Sequence, residues 1–160
     1  MVLTEQDNRR LELLLMQYEE DEHVQEMKNY VQHGIVSTYD HCKNVARVSF
    51  WLNQRFNLCA DEKALAIGAF LHDFYLYDWH IPEASHRLHG FSHAETARCN
   101  AVKYFKIAPE IQQIIQSHMW PLNITRIPRS REAVIVCAAD KICSIIETVC
   151  QRKNVKNVLG

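Results

Sequence analysis

Residues Ala64 to Leu71, ALAIGAFL, form a run of eight without a charge or a side-chain hydrogen-bonding group. A helix that is apolar on every side is normally buried. This one leads straight into His72 and Asp73, and so carries a titratable pair into the interior. An ionised carboxylate there is costly unless something positive meets it. No Lys or Arg lies between Ala64 and His86. A metal ion is the simplest partner, provided other parts of the chain supply further ligands.

At 160 residues, with 48% apolar and 23% charged side chains, the chain has the make-up of one soluble globular domain spanning 1–160. Gly and Pro number only four each, and the apolar periodicities are long, which favours helices over a sandwich of strands. The net charge of −1 offers no basic field for duplex nucleic acid. The N-terminus MVLTEQDNRR has no apolar signal core, and no run approaches the ~18 apolar residues that a membrane span needs. No membrane association is expected, and the expected setting is cytoplasmic. Six cysteines, none in a C-x-x-C pair, are expected to stay as free thiols.

In chain order, Thr4 caps a helix over about 5–18, and a second helix is expected over about 21–32, with Gly34 as its stop. Helices 1–32 either pack on the domain or form a dimer interface. Ser37 opens a helix over about 38–56 in which His41, Val45, Val48 and Leu52 share a face. Asp61 caps the central apolar helix. The following stretch, YLYDWHIPEASHRLHG, reads as a loop rich in aromatics and histidines. Ser92 and Glu95 fit a capping box that starts a helix at about 93–106, with His93 on its inner face. Pro109 begins another, whose stripe Ile111, Ile114, Ile115 ends at His118, and Pro121 blocks its continuation. The last helix, about 131–152, runs uncharged from Ala133 to Ala139 and then places Asp140 and Lys141. About two thirds of the chain should be helical.

His41, the His72–Asp73 pair, His93, His118 and Asp140 thus each lie in or at the end of an apolar helical stripe, on five different helices. One such histidine alone would read as a satisfied core residue. Two buried aspartates with four buried histidines have no structural use without a cation. Imidazole with carboxylate and no thiolate suits iron or manganese, and also zinc, nickel or cobalt; it suits calcium or magnesium poorly. Six groups exceed what one tetrahedral ion needs, so one or two ions are expected.

The order His, His-Asp, His, His, Asp resembles the HD superfamily of metal-dependent phosphohydrolases. It is carried by His41 in TYDHC, His72–Asp73 in AFLHDFY, His93 in GFSHAE, His118 in IIQSHMW and Asp140 in CAADK, over about 35–145. The chain is similar to small single-domain members of bacterial type. The resemblance implies an all-α bundle of about six to eight helices around a buried metal site. It implies that His41, His72, Asp73 and Asp140 hold one metal, and that Asp73 bridges to a second on His93 and His118.

The implied activity is hydrolysis of a phosphate ester or anhydride, of a nucleotide or a similar small molecule, through a metal-bridging hydroxide in which His72 and Asp73 take part. Lys141, about 100° round the helix from Asp140, is a candidate phosphate contact; a solvated or ion-paired lysine is the alternative. His33, His80, His86, Arg87 and His89 are further candidates for the phosphate, with a helix-end role as the other reading of His33. Trp79 and Trp120 are candidates for stacking on a base. Family branches that cleave cyclic dinucleotides or dinucleoside polyphosphates resemble one another in a lysine three residues after the motif aspartate. Here that position is Leu76, and the substrate stays unnamed. A non-catalytic metal- or nucleotide-binding sensor with the same fold is the alternative function; Leu11, Leu14, Leu15 and Met16 of the first helix permit either packing on the domain or a homodimer.

Overall fold

The computed structural model describes residues 1–79 and 89–159, with side chains other than those of His33, His89, Phe91 and 151–159. In chain order the elements are α1 (Glu5–Glu19), α2 (Glu22–Glu26), a 3-10 turn (Met27–Asn29), β1 (Val31–His33), β2 (Val36–Ser37), α3 (Thr38–Phe56), α4 (Glu62–Leu71), α5 (His89–Phe105), α6 (Pro109–Ser117) and α7 (Arg131–Leu159). The protein is all-α apart from one small antiparallel hairpin of β1 and β2. Among the described residues, no helix is long and apolar enough to cross a membrane.

The helix starts follow the side chains able to cap them. The Thr4 hydroxyl accepts from the Asp7 amide at 3.1 Å, Ser37 from Asp40 at 3.1 Å and Asp61 from Ala64 at 2.6 Å. Helix α3 ends at Asn57, which takes the left-handed conformation at φ 48°. Helix α4 lies at the centre of the bundle, and every residue from Ala64 to Leu71 is buried. It packs on α3, α6, α7 and α1. On its N-terminal side, α1 contributes Leu11, Leu15 and Tyr18 to the same core.

Three expectations need correction. The helix predicted over 21–32 stops at Glu26 and its chain turns into the hairpin. Gly34 is not a helix stop but the hairpin turn, at φ 59°, a conformation that costs glycine little. The β-branched Val31 and Val36 suit strands, and the Thr38 amide bonds back to the Tyr30 carbonyl at 2.8 Å, which closes the hairpin onto the start of α3. The second correction is to α5, which begins at His89 and not at Ser92. Glu95 forms no capping box; its carboxylate is held by Arg98 and by Gln116, the latter at 2.7 Å. The third is to α7, which continues to Leu159. His80, His86 and Arg87, with most of the loop expected there, lie outside the described residues, as does the side chain of His89.

Close approach of α4 to α6 requires Gly68. A Cβ built there would meet Ile114 Cγ2 at 2.8 Å, and Ile114 is itself buried. Overpacking of a core costs about 1–3 kcal/mol, against a gain of up to ~1 kcal/mol in helix propensity. Gly68→Ala should therefore lower stability by about 1 kcal/mol in urea denaturation, with an unchanged m value.

Candidate metal centre

Five helices deliver six side chains to one point. His41 comes from the first turn of α3, His93 from the second turn of α5 and Asp140 from the third turn of α7. His72 and His118 cap the C-terminal ends of α4 and α6, and Asp73 follows His72. All six are buried, from fully for His41 and His72 to 8% exposed for Asp140. The helix ends matter electrostatically. The C-terminus of a helix carries partial negative charge, so α4 and α6 both turn a cation-favouring end toward the cluster.

Asp73 stands in the middle. Its Oδ2 faces His72 Nε2 at 3.4 Å and His41 Nε2 at 4.0 Å. Its Oδ1 faces His93 Nε2 at 3.3 Å and His118 Nε2 at 3.5 Å. The two oxygens of one carboxylate thus serve two different pairs of imidazoles. Asp140 Oδ1 completes the first side, at 3.2 Å from His41 Nε2 and 3.8 Å from His72 Nε2. On the second side, His93 Nε2 and His118 Nε2 are 3.0 Å apart.

Two triads have ligand atoms all within 4.8 Å of one another: His41, His72 and Asp140, and His72, Asp73 and His118. His72 Nε2 and Asp73 Oδ1 are buried with no hydrogen-bond partner. Buried polar atoms are nearly always partnered, and these two are the kinds of atom that bind metal. The donor set therefore fits a divalent ion.

Outer contacts aim the rings. His72 Nδ1 donates to the Ala69 carbonyl and His118 Nδ1 to the Ile115 carbonyl, each at 2.7 Å. A carbonyl only accepts, so Nδ1 of each ring carries a proton and Nε2 is the nitrogen turned toward the cluster. His41 Nδ1 faces the Glu147 carboxylate at 2.8 Å. Asp73 Oδ2 accepts from Gln32 Nε2 at 2.6 Å, and Gln32 Oε1 accepts in turn from the Tyr75 hydroxyl and faces Thr38 Oγ1.

Burial and mutual charge move the protonation of these groups far from ordinary values. Burial disfavours the Asp73 carboxylate, but His72, His93 and His118 outweigh it and hold the group far below the usual carboxylate range. Asp140 is likewise held low: burial opposes its charge, and His41 and His72 more than compensate. Burial would depress His41, yet its bonds to Asp140 and Glu147 raise it to about 10. Burial and the neighbouring His72 push His118 down to about 3. One imidazole of the cluster is thereby kept neutral, as a ligand requires.

The cluster forms the floor of a cavity of about 610 Å³, whose lining includes Asp73, His93, His118 and Asp140, with Trp79, Met119 and Leu122 as apolar walls. Lys141 lines it too, but its ammonium bonds to the His118 carbonyl at 3.0 Å and to the Cys137 carbonyl and Sγ at 3.2 Å. Trp120 lines a neighbouring apolar cavity of about 340 Å³, which shares Pro121 and Lys141 with the first. His33 stands in β1.

Sequence reasoning missed Gln32 and Glu147. Gln32 was absorbed into the wrongly extended second helix. Glu147 lies seven residues after Asp140, two turns along the same face of α7, and that spacing was the available signal. Compared with known proteins, residues 38–145 match the family model described as HD domain. No curated protein and no solved structure matches the chain.

Gln32→Leu removes the donor to Asp73. A hydrogen bond to a charged group contributes about 1.5–3 kcal/mol, so metal-free protein carrying this change should lose that much stability in chemical denaturation.

Proposed function

Since the chain belongs to the HD domain family, we propose that it is a metal-dependent phosphohydrolase acting on a phosphate ester or anhydride of a small molecule, a nucleotide or a similar compound. The observation that carries the reading is Asp73, with one oxygen toward His41 and His72 and the other toward His93 and His118. We assign His41, His72, Asp73 and Asp140 to one divalent ion, and His93 and His118, with Asp73 between, to a second. Iron or manganese suits this donor set best, with zinc, nickel and cobalt compatible. When bound, such ions lower the pKa of water and draw off charge from phosphoryl oxygens.

The chain's own residues do the rest. Asp73 and Asp140 bring two negative charges to a buried site, where charge acts strongly, and leave a dinuclear centre positive toward an anion. The backbone bonds of His72 and His118 hold the rings in place without reorganisation. Gln32 holds the Asp73 carboxylate plane through Oδ2. The cavity of about 610 Å³ has the size of a small-molecule site. Trp79 stands on its wall, ready to stack on a planar group. Lys141, His33, His80, His86, Arg87, His89 and Trp120 are the candidates for contact with the phosphate and its substituent. Free thiols at Cys42, Cys59, Cys99, Cys137, Cys143 and Cys150 support a cytoplasmic setting, and a homodimer is compatible with exposed Leu13 and Met16 on α1.

One observation favours a second reading. Lys141 is the lysine or arginine on the described wall of the cavity, and its ammonium is bonded to protein acceptors. A sensor that binds a metal or nucleotide without turnover would need no further cation.

Elemental analysis of protein purified without chelator should find two transition-metal ions per chain, and that metal should support turnover in a phosphatase and phosphodiesterase screen. Asp73→Ala should lose both metal and turnover. Two ions with no turnover on any phosphoester would select the sensor; no ion after reconstitution with manganese or iron would sink the hydrolase and leave the nucleotide-binding module.

A further inference from the structure

We propose that Glu147 is a positioning residue that makes the His41–His72–Asp140 cluster the tighter of two divalent-metal sites, so that the two fill in order. The inference rests on the metal-binding reading above and goes beyond it in ranking the sites.

The case starts from the spacing on α7. Asp140 and Glu147 are two turns apart, so both face α3. His41 lies between them: its Nε2 is 3.2 Å from Asp140 Oδ1 and its Nδ1 is 2.8 Å from Glu147 Oε2. Glu147 is only 8% exposed. Its other oxygen accepts from Asn44 Nδ2 at 3.1 Å, one turn along α3 from His41. The carboxylate is therefore clamped between two side chains of one helix face and cannot swing away to water.

The outer partners of the histidines differ in kind. His72 and His118 lean on neutral backbone carbonyls, while His41 leans on a full negative charge. A carboxylate behind an imidazole fixes its tautomer and raises its basicity as a ligand. The charges add to this. Among the described residues, Asp140, Asp73 Oδ2 and Glu147 lie around the first cluster, while Asp73 Oδ1 faces His93 and His118 of the second. A dication settling into this low-dielectric interior is drawn more strongly to the first.

A merely structural role, tying α7 to α3, predicts lost stability without selective loss of affinity. Chelator-stripped protein titrated with Mn²⁺, with free Mn²⁺ read by electron paramagnetic resonance, separates the two. The wild type should bind in two classes. His93→Ala should abolish the weaker class and so identify it. Glu147→Gln, which keeps the shape and an acceptor but removes the charge, should weaken the tighter class about 10–100-fold and leave the weaker class within about threefold. Asn44→Ala frees the carboxylate without deleting it and should weaken the same class by less; it carries the test if circular dichroism shows Glu147→Gln unfolded. Tight-class affinity within twofold of wild type in both variants, or equal weakening of both classes, would overturn the ranking. A wild type that binds no Mn²⁺, nor iron or zinc, would instead overturn the metal reading on which it stands.

Discussion

A carboxylate 2% exposed, between two pairs of imidazoles, is the constraint on which this structure depends. Removing such a charge from water costs several kcal/mol even after relaxation. Among the described residues, Asp73 meets that cost with the four histidines and the Gln32 amide. The solution is collective. No single imidazole neutralises Asp73, and each shares its polar edge with another member of the cluster. The result is a site whose members are mutually dependent, and in which an added dication would satisfy atoms, such as His72 Nε2 and Asp73 Oδ1, that protein groups leave unbonded.

The scaffold that makes this possible is as apolar as the site is polar. Every residue of α4 from Ala64 onward is buried, and Gly68 lets Ile114 of α6 approach its backbone. Two helices held this closely bring their C-terminal ends to the same place, and each ends in a histidine whose Nδ1 bonds to its own helix three residues back. The bond is local and follows directly from helix geometry. Ring orientation at His72 and His118 therefore comes with the fold. His41, at the start of its helix, is backed instead by a carboxylate from α7.

How much of this could be read from the chain follows from the range of each interaction. The six clustered residues were legible because each ends or interrupts an apolar helical stripe, a pattern within ten residues of sequence. The caps at Thr4, Ser37 and Asp61 were legible for the same reason, since a cap bonds three residues away. The hairpin was not. Val24, Met27 and Val31 fit a helical stripe as well as a strand does, and only the return of Thr38 to Tyr30 decides between them. Ser92 and Glu95 have the spacing of a capping box, but Arg98 and Gln116 claim the carboxylate, the latter from another helix. Gln32 meets Asp73 across 41 residues of sequence and leaves no local trace; Glu147 meets His41 across 106, and its one local sign is the seven-residue spacing from Asp140 on α7.

The placement of Lys141 has a consequence for how an anion could be held. Its ammonium is bonded to the carbonyl of His118 at the end of α6, where helix ends favour cations. It therefore braces a ligand-bearing turn and has acceptors of its own to satisfy. On the described walls of the cavity, the remaining large groups are apolar, Trp79, Met119 and Leu122 among them. A phosphoryl group bound to ions held by this cluster would link phosphate affinity to metal occupancy: whatever emptied the metal site would weaken the anion site. The apolar walls would then select the substituent, while the charged floor selects the phosphate. The cluster is built into the helices, while the cavity beside it is lined by unlike elements: the hairpin, the ends of α5 and α6, and the face of α7.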